Sequence, residues 1–267
     1  SGVVVTVRAP GTLEARTHAG RLIWTVDLEE TVSSAPIVDT TGRLLVSTNQ
    51  GNVLHVSLDG VVARRRYVGE IGSALAARED GAILGSTGGR VIAMDSNLDP
   101  LWRADVGSAI RTVRVAEGGQ IFTTSDDGAL ARIVPEGAVA WKVQPGSAVM
   151  RPPVVGSDLL VATSDGLLIR LGVDGTARWQ MRLLDTPLSV ARSSYGAAVV
   201  TTESWVTYAY ATDVAPAGSW SRERGGPDRR GVARGADSGR VDLAEYERSV
   251  DYLTLRRRLL GGGQSEQ

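Results

Sequence analysis

The 267-residue chain contains no cysteine. That absence removes disulfides, thiolate metal ligands and cysteine nucleophiles together. It leaves the redox compartment open, because a periplasmic protein need not carry a disulfide. Histidine is nearly as scarce. His18 and His55 are the two present, and no third ligand stands at metal spacing from either. Lysine occurs once, at Lys142, and phenylalanine once, at Phe122, so arginine carries the positive charge and Trp and Tyr the aromatic load. The formal net charge of -1 creates no global field directed at nucleic acid or acidic lipid. No apolar run approaches the roughly 20 residues of a membrane-spanning helix. The chain opens on Ser1 without a signal-peptide core, which reads as a processed or trimmed form.

What the chain does have is a repeat. Trp24, Trp102, Trp141, Trp179 and Trp220 stand 78, 39, 38 and 41 residues apart, and Arg64 occupies the midpoint of the double step. A second series marks hairpin turns: Gly11, Gly51, Gly89, Gly128 and Gly166, with Ser204 in the sixth place. A third series runs Gly42, Gly81, Gly119, Gly156 and Gly196. Between these markers lie short runs rich in Val, Leu, Ile and Thr, punctuated by Asp-Gly, Gln-Gly and Gly-Gly turns. In the second unit the pattern predicts strands at 35–39, 43–47, 52–57 and 61–67, labelled A to D.

Four short strands repeating about every 39 residues predict an all-β propeller of four-stranded antiparallel blades. The units fall near 1–31, 32–70, 71–108, 109–147, 148–185 and 186–222. The first lacks its strand A, which predicts either a clasp from the C-terminal side closing a six-bladed ring or further blades upstream; the closed ring is the preferred reading. The sixth has a strand D weakened by proline and glycine before Trp220. Residues 223–240 read as an Arg/Gly-rich linker. Residues 241–260 read as an amphipathic helix, with Leu243, Tyr246, Val250, Leu253 and Leu260 on one face and Asp242 with Glu245 as its capping box.

A search for chemistry predicts no catalytic, cofactor-binding or metal-binding residue. The Asp126-Asp127 pair occupies a turn position that other units fill with Asn49, Gly88 or Asp165. No Gly-rich segment leads into a helix as a phosphate cradle does. One tryptophan per blade reads as packing between blades. Blade topology places the start of strand A and the B–C hairpin on one face, and the A–B and C–D turns on the other. Arg111 and Arg151 then lie near the channel mouth, with Asn49, Asp126, Asp127, Asp165, Glu203 and Trp205 further out on the same face. The opposite face collects Asp39, Asp59, Glu79, Asp80, Asp99, Glu117, Glu136, Asp158 and Asp174 and is expected to be acidic. Arg111, Arg151, Trp205 and Arg64 are the expected partner-binding residues, as departures from the repeat and as Arg or aromatic anchors.

The stretch Leu44-Leu45-Val46-Ser47-Thr48-Asn49-Gln50-Gly51-Asn52-Val53-Leu54, and again Leu160-Val161-Ala162-Thr163-Ser164-Asp165-Gly166-Leu167-Leu168 ending at Gly175 and Trp179, resembles the pyrroloquinoline-quinone-type propeller repeat. The resemblance covers about 230 residues and rests on structural motif positions. The family has a quinone-dependent dehydrogenase branch and a non-catalytic branch similar to the propeller subunit of the β-barrel assembly machinery (BamB-like). The calcium-ligating and vicinal-disulfide constellation of the enzymes is not visible here. The resemblance therefore implies a non-enzymatic scaffold for a protein or peptide partner, in the periplasm or cell envelope, possessing no cofactor and assisting outer-membrane protein assembly. The alternatives are a quinone-binding oxidoreductase module, a sensor or carbohydrate-binding propeller, and a cytoplasmic location.

Overall fold

A computed structural model of the chain describes residues 2–145, 147, 149, 154–155, 158–183, 185–192, 198–204 and 207–210. The chain divides into two units, Ser1–Ala233 and Arg234–Gln267, and all described residues lie in the first. The expected linker, the amphipathic helix and the sixth strand D fall outside the described residues, as does the C-terminal clasp.

The described chain is almost entirely strand, arranged as six successive antiparallel meanders. The first sheet is β1 (Val3–Arg8), β2 (Thr12–Thr17) and β3 (Leu22–Asp27). The second is β4 (Ile37–Val38), β5 (Leu44–Ser47), β6 (Asn52–Val56) and β7 (Val62–Tyr67). The third is β8 (Gly72–Arg78), β9 (Gly81–Ser86), β10 (Arg90–Asp95) and β11 (Pro100–Asp105). The fourth is β12 (Ile110–Val115), β13 (Ile121–Ser125), β14 (Leu130–Ile133) and β15 (Val139–Val143). The fifth is β16 (Val154–Val155), β17 (Asp158–Ala162), β18 (Leu167–Gly172) and β19 (Ala177–Arg182). The sixth is β20 (Pro187–Arg192), β21 (Ala198–Thr202) and β22 (Thr207–Tyr210). One 3-10 turn, Glu117–Gly119, interrupts the pattern.

In the second to fifth sheets the two middle strands are largely apolar on both faces, and the period of two explains why. Leu44 and Val46 face the first sheet with Leu13, while Leu45 between them faces the third with Leu84. Ala82 and Leu84 face the second sheet, and Ile83 faces the fourth. Continuous hydrophobic runs thus mark strands sandwiched between two neighbours. Among the described residues the core is a row of apolar clusters, one at each junction from first–second to fifth–sixth. Each sheet is stable only against its neighbours. The molecule is a β-propeller of four-stranded antiparallel blades. Strands in the A position lie innermost, where β12 packs on β8 and β20 on β16. Those in the D position form the exposed outer rim.

Candidate interaction surface

The geometry of the C–D turn explains the tryptophan series. In each of the first five sheets the register slips once between the C and D strands, just before the turn. The indole one register step away points across to the next sheet. Trp24 Nε1 donates to the carbonyl of Leu58 at 2.6 Å, Trp102 to Pro135 at 2.8 Å, and Trp141 to Val173 at 2.8 Å. Each ring lies flat on a turn glycine of that next sheet. A Cβ built on Gly60, Gly137 or Gly175 would come within 2.8, 2.7 or 3.0 Å of the ring. The three glycines also hold φ of 87°, 96° and 83°, which L side chains rarely adopt. Each tryptophan is thus a bolt through the junction, with a hydrogen bond at its tip.

The second unit breaks the series, and the break is double. Arg64 stands in the tryptophan slot of β7, paired across the sheet with His55. The turn residue it would meet, in the third sheet, is Leu98, which holds φ of 65° and is fully buried. With no indole to accommodate, the glycine is not required, and Leu98 joins the apolar cluster between the second and third sheets. Polar fasteners replace the bolt. Arg66 pairs with Asp99, Arg43 donates to the Ser96 carbonyl, and Thr40 donates to the Glu79 carbonyl. Both halves of this exchange stand in the sequence, since the turn glycines at 20, 60, 137 and 175 skip position 98.

A further fastener leaves no motif in the sequence. The residue after the tryptophan slot donates to a carbonyl of the preceding sheet's D–A connection: Arg65 to Leu28, Arg103 to Val68 and Lys142 to Val106. On the hairpin face the carboxylates are committed to the same task. Glu30, buried, accepts from Thr48, Asn52 and Arg65 of the second sheet. Glu70 pairs with Arg90 of the third. Asp127 accepts from Ser125, the Ala129 amide and Lys142, and these bonds, the Ser125 hydroxyl foremost, hold its pKa low. Asp165 is held low by Ser147 and then Thr163, and Asp185 by Ser204. All three are ionised carboxylates serving as turn and latch acceptors.

Of the expected partner-binding residues, Arg111 lies at the start of β12 on this hairpin face. Its Nε and Nη2 reach Asp126 Oδ1 at 3.1 and 3.0 Å, with both side chains roughly half exposed. An exposed pair of this kind is worth about 1 kcal/mol or less, so Arg111 remains available to a stronger carboxylate. Arg64 lies on the outermost strand of another sheet and forms no common site with Arg111. Arg151 and Trp205 lie outside the described residues. On the opposite face, four of the nine acids expected to charge it are in ion pairs. Asp39, Asp99, Asp158 and Asp174 are paired with Arg43, Arg66, Arg170 and Arg178. Arg43, Arg170 and Arg178 come from the same sheet as their acids, and Arg66 from the preceding one.

His55 is enclosed in β6, with Nε2 3.5 Å from Asp39 Oδ2. Burial, and then the Arg43 charge, lower its pKa to about 4, so it is neutral at pH 7. Burial alone would raise Asp39, but bonds from Thr41 and Arg43 overcome it and its pKa is lowered. Among the described residues no three His, Asp or Glu side chains group as a metal site. Among them also, no helix is long and apolar enough to cross a membrane.

Residues 87–214 match the family model described as outer membrane protein assembly factor BamB. No curated protein sequence matches the chain. Several solved structures share its fold. BamB from Moraxella catarrhalis is 14% identical with a TM-score of 0.51, over 79% of this chain and 82% of that one. The BBS1 N-terminal domain, solved in complex with ARL6DN, is 14% identical with a TM-score of 0.63, over 80% and 76%. The C-terminal WD40 domain of Sif2 is 14% identical with a TM-score of 0.62, over 78% and 63%. Residues 87–214, just under half of the chain, thus resemble the BamB-like propeller repeat, and the chain shares the β-propeller fold of these structures.

Proposed function

We propose that this chain is a non-enzymatic protein-interaction scaffold of the bacterial cell envelope that assists outer-membrane protein assembly. The observation that carries the reading is the match of residues 87–214 to the BamB assembly-factor model. The chemistry of the propeller is consistent with it. The hairpin-face carboxylates Glu30, Glu70, Asp127, Asp165 and Asp185 are engaged as latches. The docking face we propose is the hairpin end of the innermost strands, where Arg111 offers its guanidinium group to a partner carboxylate or backbone carbonyl; Arg151, outside the described residues, is the second expected anchor. The same likeness supports a place in the cell envelope or periplasm.

The test is site-specific photocrosslinking in intact bacterial cells from position 49, an exposed hairpin residue assigned to the same face. The expected product joins the chain to a component of the β-barrel assembly machinery, and it disappears in Arg111→Glu/Arg151→Glu. Undiminished crosslinking at other positions of the face in that double variant would reject the arginines as anchors. The competing oxidoreductase reading predicts binding of pyrroloquinoline quinone with calcium, and dye reduction. A scaffold gives neither.

A further inference from the structure

We propose that the junction between the second and third sheets carries a binding site for a tetrahedral oxyanion of the phosphate or sulfate class, formed by Arg64 and Arg66 with His55 on the adjacent strand. The site is independent of the Arg111 face and of the scaffold reading.

This is the junction whose slot holds no indole. At three others the slot residue is a tryptophan whose Nε1 is bonded to a turn carbonyl of the next sheet. Here the corresponding carbonyl, that of Ser96, accepts from Arg43 Nη2 at 3.4 Å. Arg64, in the slot itself, is exposed and makes no hydrogen bond or ion pair among the described residues. Its neighbours Arg43 and Arg66 are balanced by Asp39 and Asp99. Arg64 is the cation left over. Two polar atoms beside it are also unsatisfied: His55 Nδ1 and Arg66 Nε are buried without a hydrogen-bond partner. Buried polar atoms are nearly always bonded, so two orphans in one junction require a reason. His55 stands directly across from Arg64, and Arg66 lies two residues along the same strand, on the same face.

Donors are in excess here, and an acceptor is missing. Burial opposes the ionisation of Asp39, but bonds from Thr41 and Arg43 keep it charged. Neutral His55 therefore carries its proton on Nε2, 3.5 Å from Asp39 Oδ2, and a lone pair on Nδ1. An anion beside Nδ1 favours the imidazolium, which takes a proton from solvent and becomes a third donor. The other charges around the imidazole are Arg43 and Arg64 in its own sheet. Across the junction the turns of the third sheet bring Asp95, Asp99, Glu79 and Asp80. Asp95 accepts from the amides of its own turn, and Asp99 is held by Arg66. Glu79 and Asp80 are exposed and ion-pair with none of the three arginines. None of the four supplies the missing acceptor. Three donors on two strands mark a triangle, which matches three oxygens of a tetrahedral oxyanion better than the two of a planar carboxylate. An exposed side chain changes rotamer in picoseconds to nanoseconds, so Arg64 can swing aside, admit the anion over the two buried atoms and close on it.

The probe is inorganic sulfate, which does not itself titrate near neutral pH, added to the intact 267-residue chain at constant ionic strength and followed by isothermal titration calorimetry. The expected result is saturable binding, about tenfold tighter at pH 5 than at pH 8, because each anion takes up a proton at His55, whose folded pKa of about 4 rises on binding. Arg64→Gln, at an exposed position, should weaken binding about tenfold or more at both pH values. His55→Gln should leave binding but remove its pH dependence. If that variant misfolds, the titration midpoint of the His55 ring signals in nuclear magnetic resonance, raised by sulfate in the unaltered chain, reads the same coupling. Phosphatidylglycerol vesicles decide the source of the anion: sedimentation of the chain with them, reversed by sulfate, makes it a lipid headgroup, and sulfate binding without sedimentation makes it a free phosphate or sulfate compound. Absence of saturable sulfate binding overturns the proposal, and so does binding that is unaffected by Arg64→Gln or equal at the two pH values.

Discussion

Replacing Gly137 with alanine tests the bolt that joins the third and fourth sheets. The added Cβ would lie 2.7 Å from Trp102 Cδ2 and 2.9 Å from its Cγ and Cε3. The indole cannot swing away without losing its 2.8 Å bond to the Pro135 carbonyl. Overpacking of this kind costs about 1–3 kcal/mol. Holding alanine at a φ of 96° adds roughly 1–2 kcal/mol. The expected loss is therefore about 2–5 kcal/mol, a large part of a typical domain's stability. The assay is urea unfolding followed by far-ultraviolet circular dichroism, in a cycle with Trp102→Ala. Without the ring only the backbone cost remains, so the same glycine substitution should then cost about 1–2 kcal/mol, a coupling of about 1–3 kcal/mol. Equal costs in both backgrounds would refute the contact between ring and turn as the reason for the glycine.

Other expectations follow from the same geometry. Arg64→Trp alone should destabilise by about 1–3 kcal/mol because its ring meets Leu98, and adding Leu98→Gly should recover much of that loss; a double variant no better than the single would break the link between the two positions. His55 has its folded pKa depressed from 6.5 to about 4, so its contribution is present above pH 6.5 and lost as pH falls to about 4. In that window the unfolded chain takes up a proton that the folded chain refuses, at a cost on the order of 3 kcal/mol. His55→Gln should flatten this part of the pH–stability profile in urea midpoints, and an unchanged slope would reject the assignment. Lys142→Met removes donors to both the Val106 carbonyl and Asp127, and should lower stability by about 1 kcal/mol in the same assay.

The repeat period, the strand positions, the turns and the all-β class were legible because each is a local pattern. Alternation within five residues and a turn glycine need no knowledge of the rest of the chain. The strands expected at 52–57 and 61–67 are found as Asn52–Val56 and Val62–Tyr67. What local pattern cannot carry is the partner across a junction. Trp102 and Gly137 lie 35 residues apart and meet only because two sheets stack in register. Arg64 departs from the tryptophan series, and Leu98, at the turn position that the other units give to glycine, departs with it and packs into the apolar cluster of that junction. Of the acids expected to charge one face, Asp99 meets Arg66 only because two sheets stack. Sequence alone thus determined the repeating strand unit, whose information lies in neighbouring residues. Which residues remain free to bind, such as Arg111 in its weak surface pair, was decided only when the sheets were set against one another, because availability is what remains after every neighbour has taken its contacts.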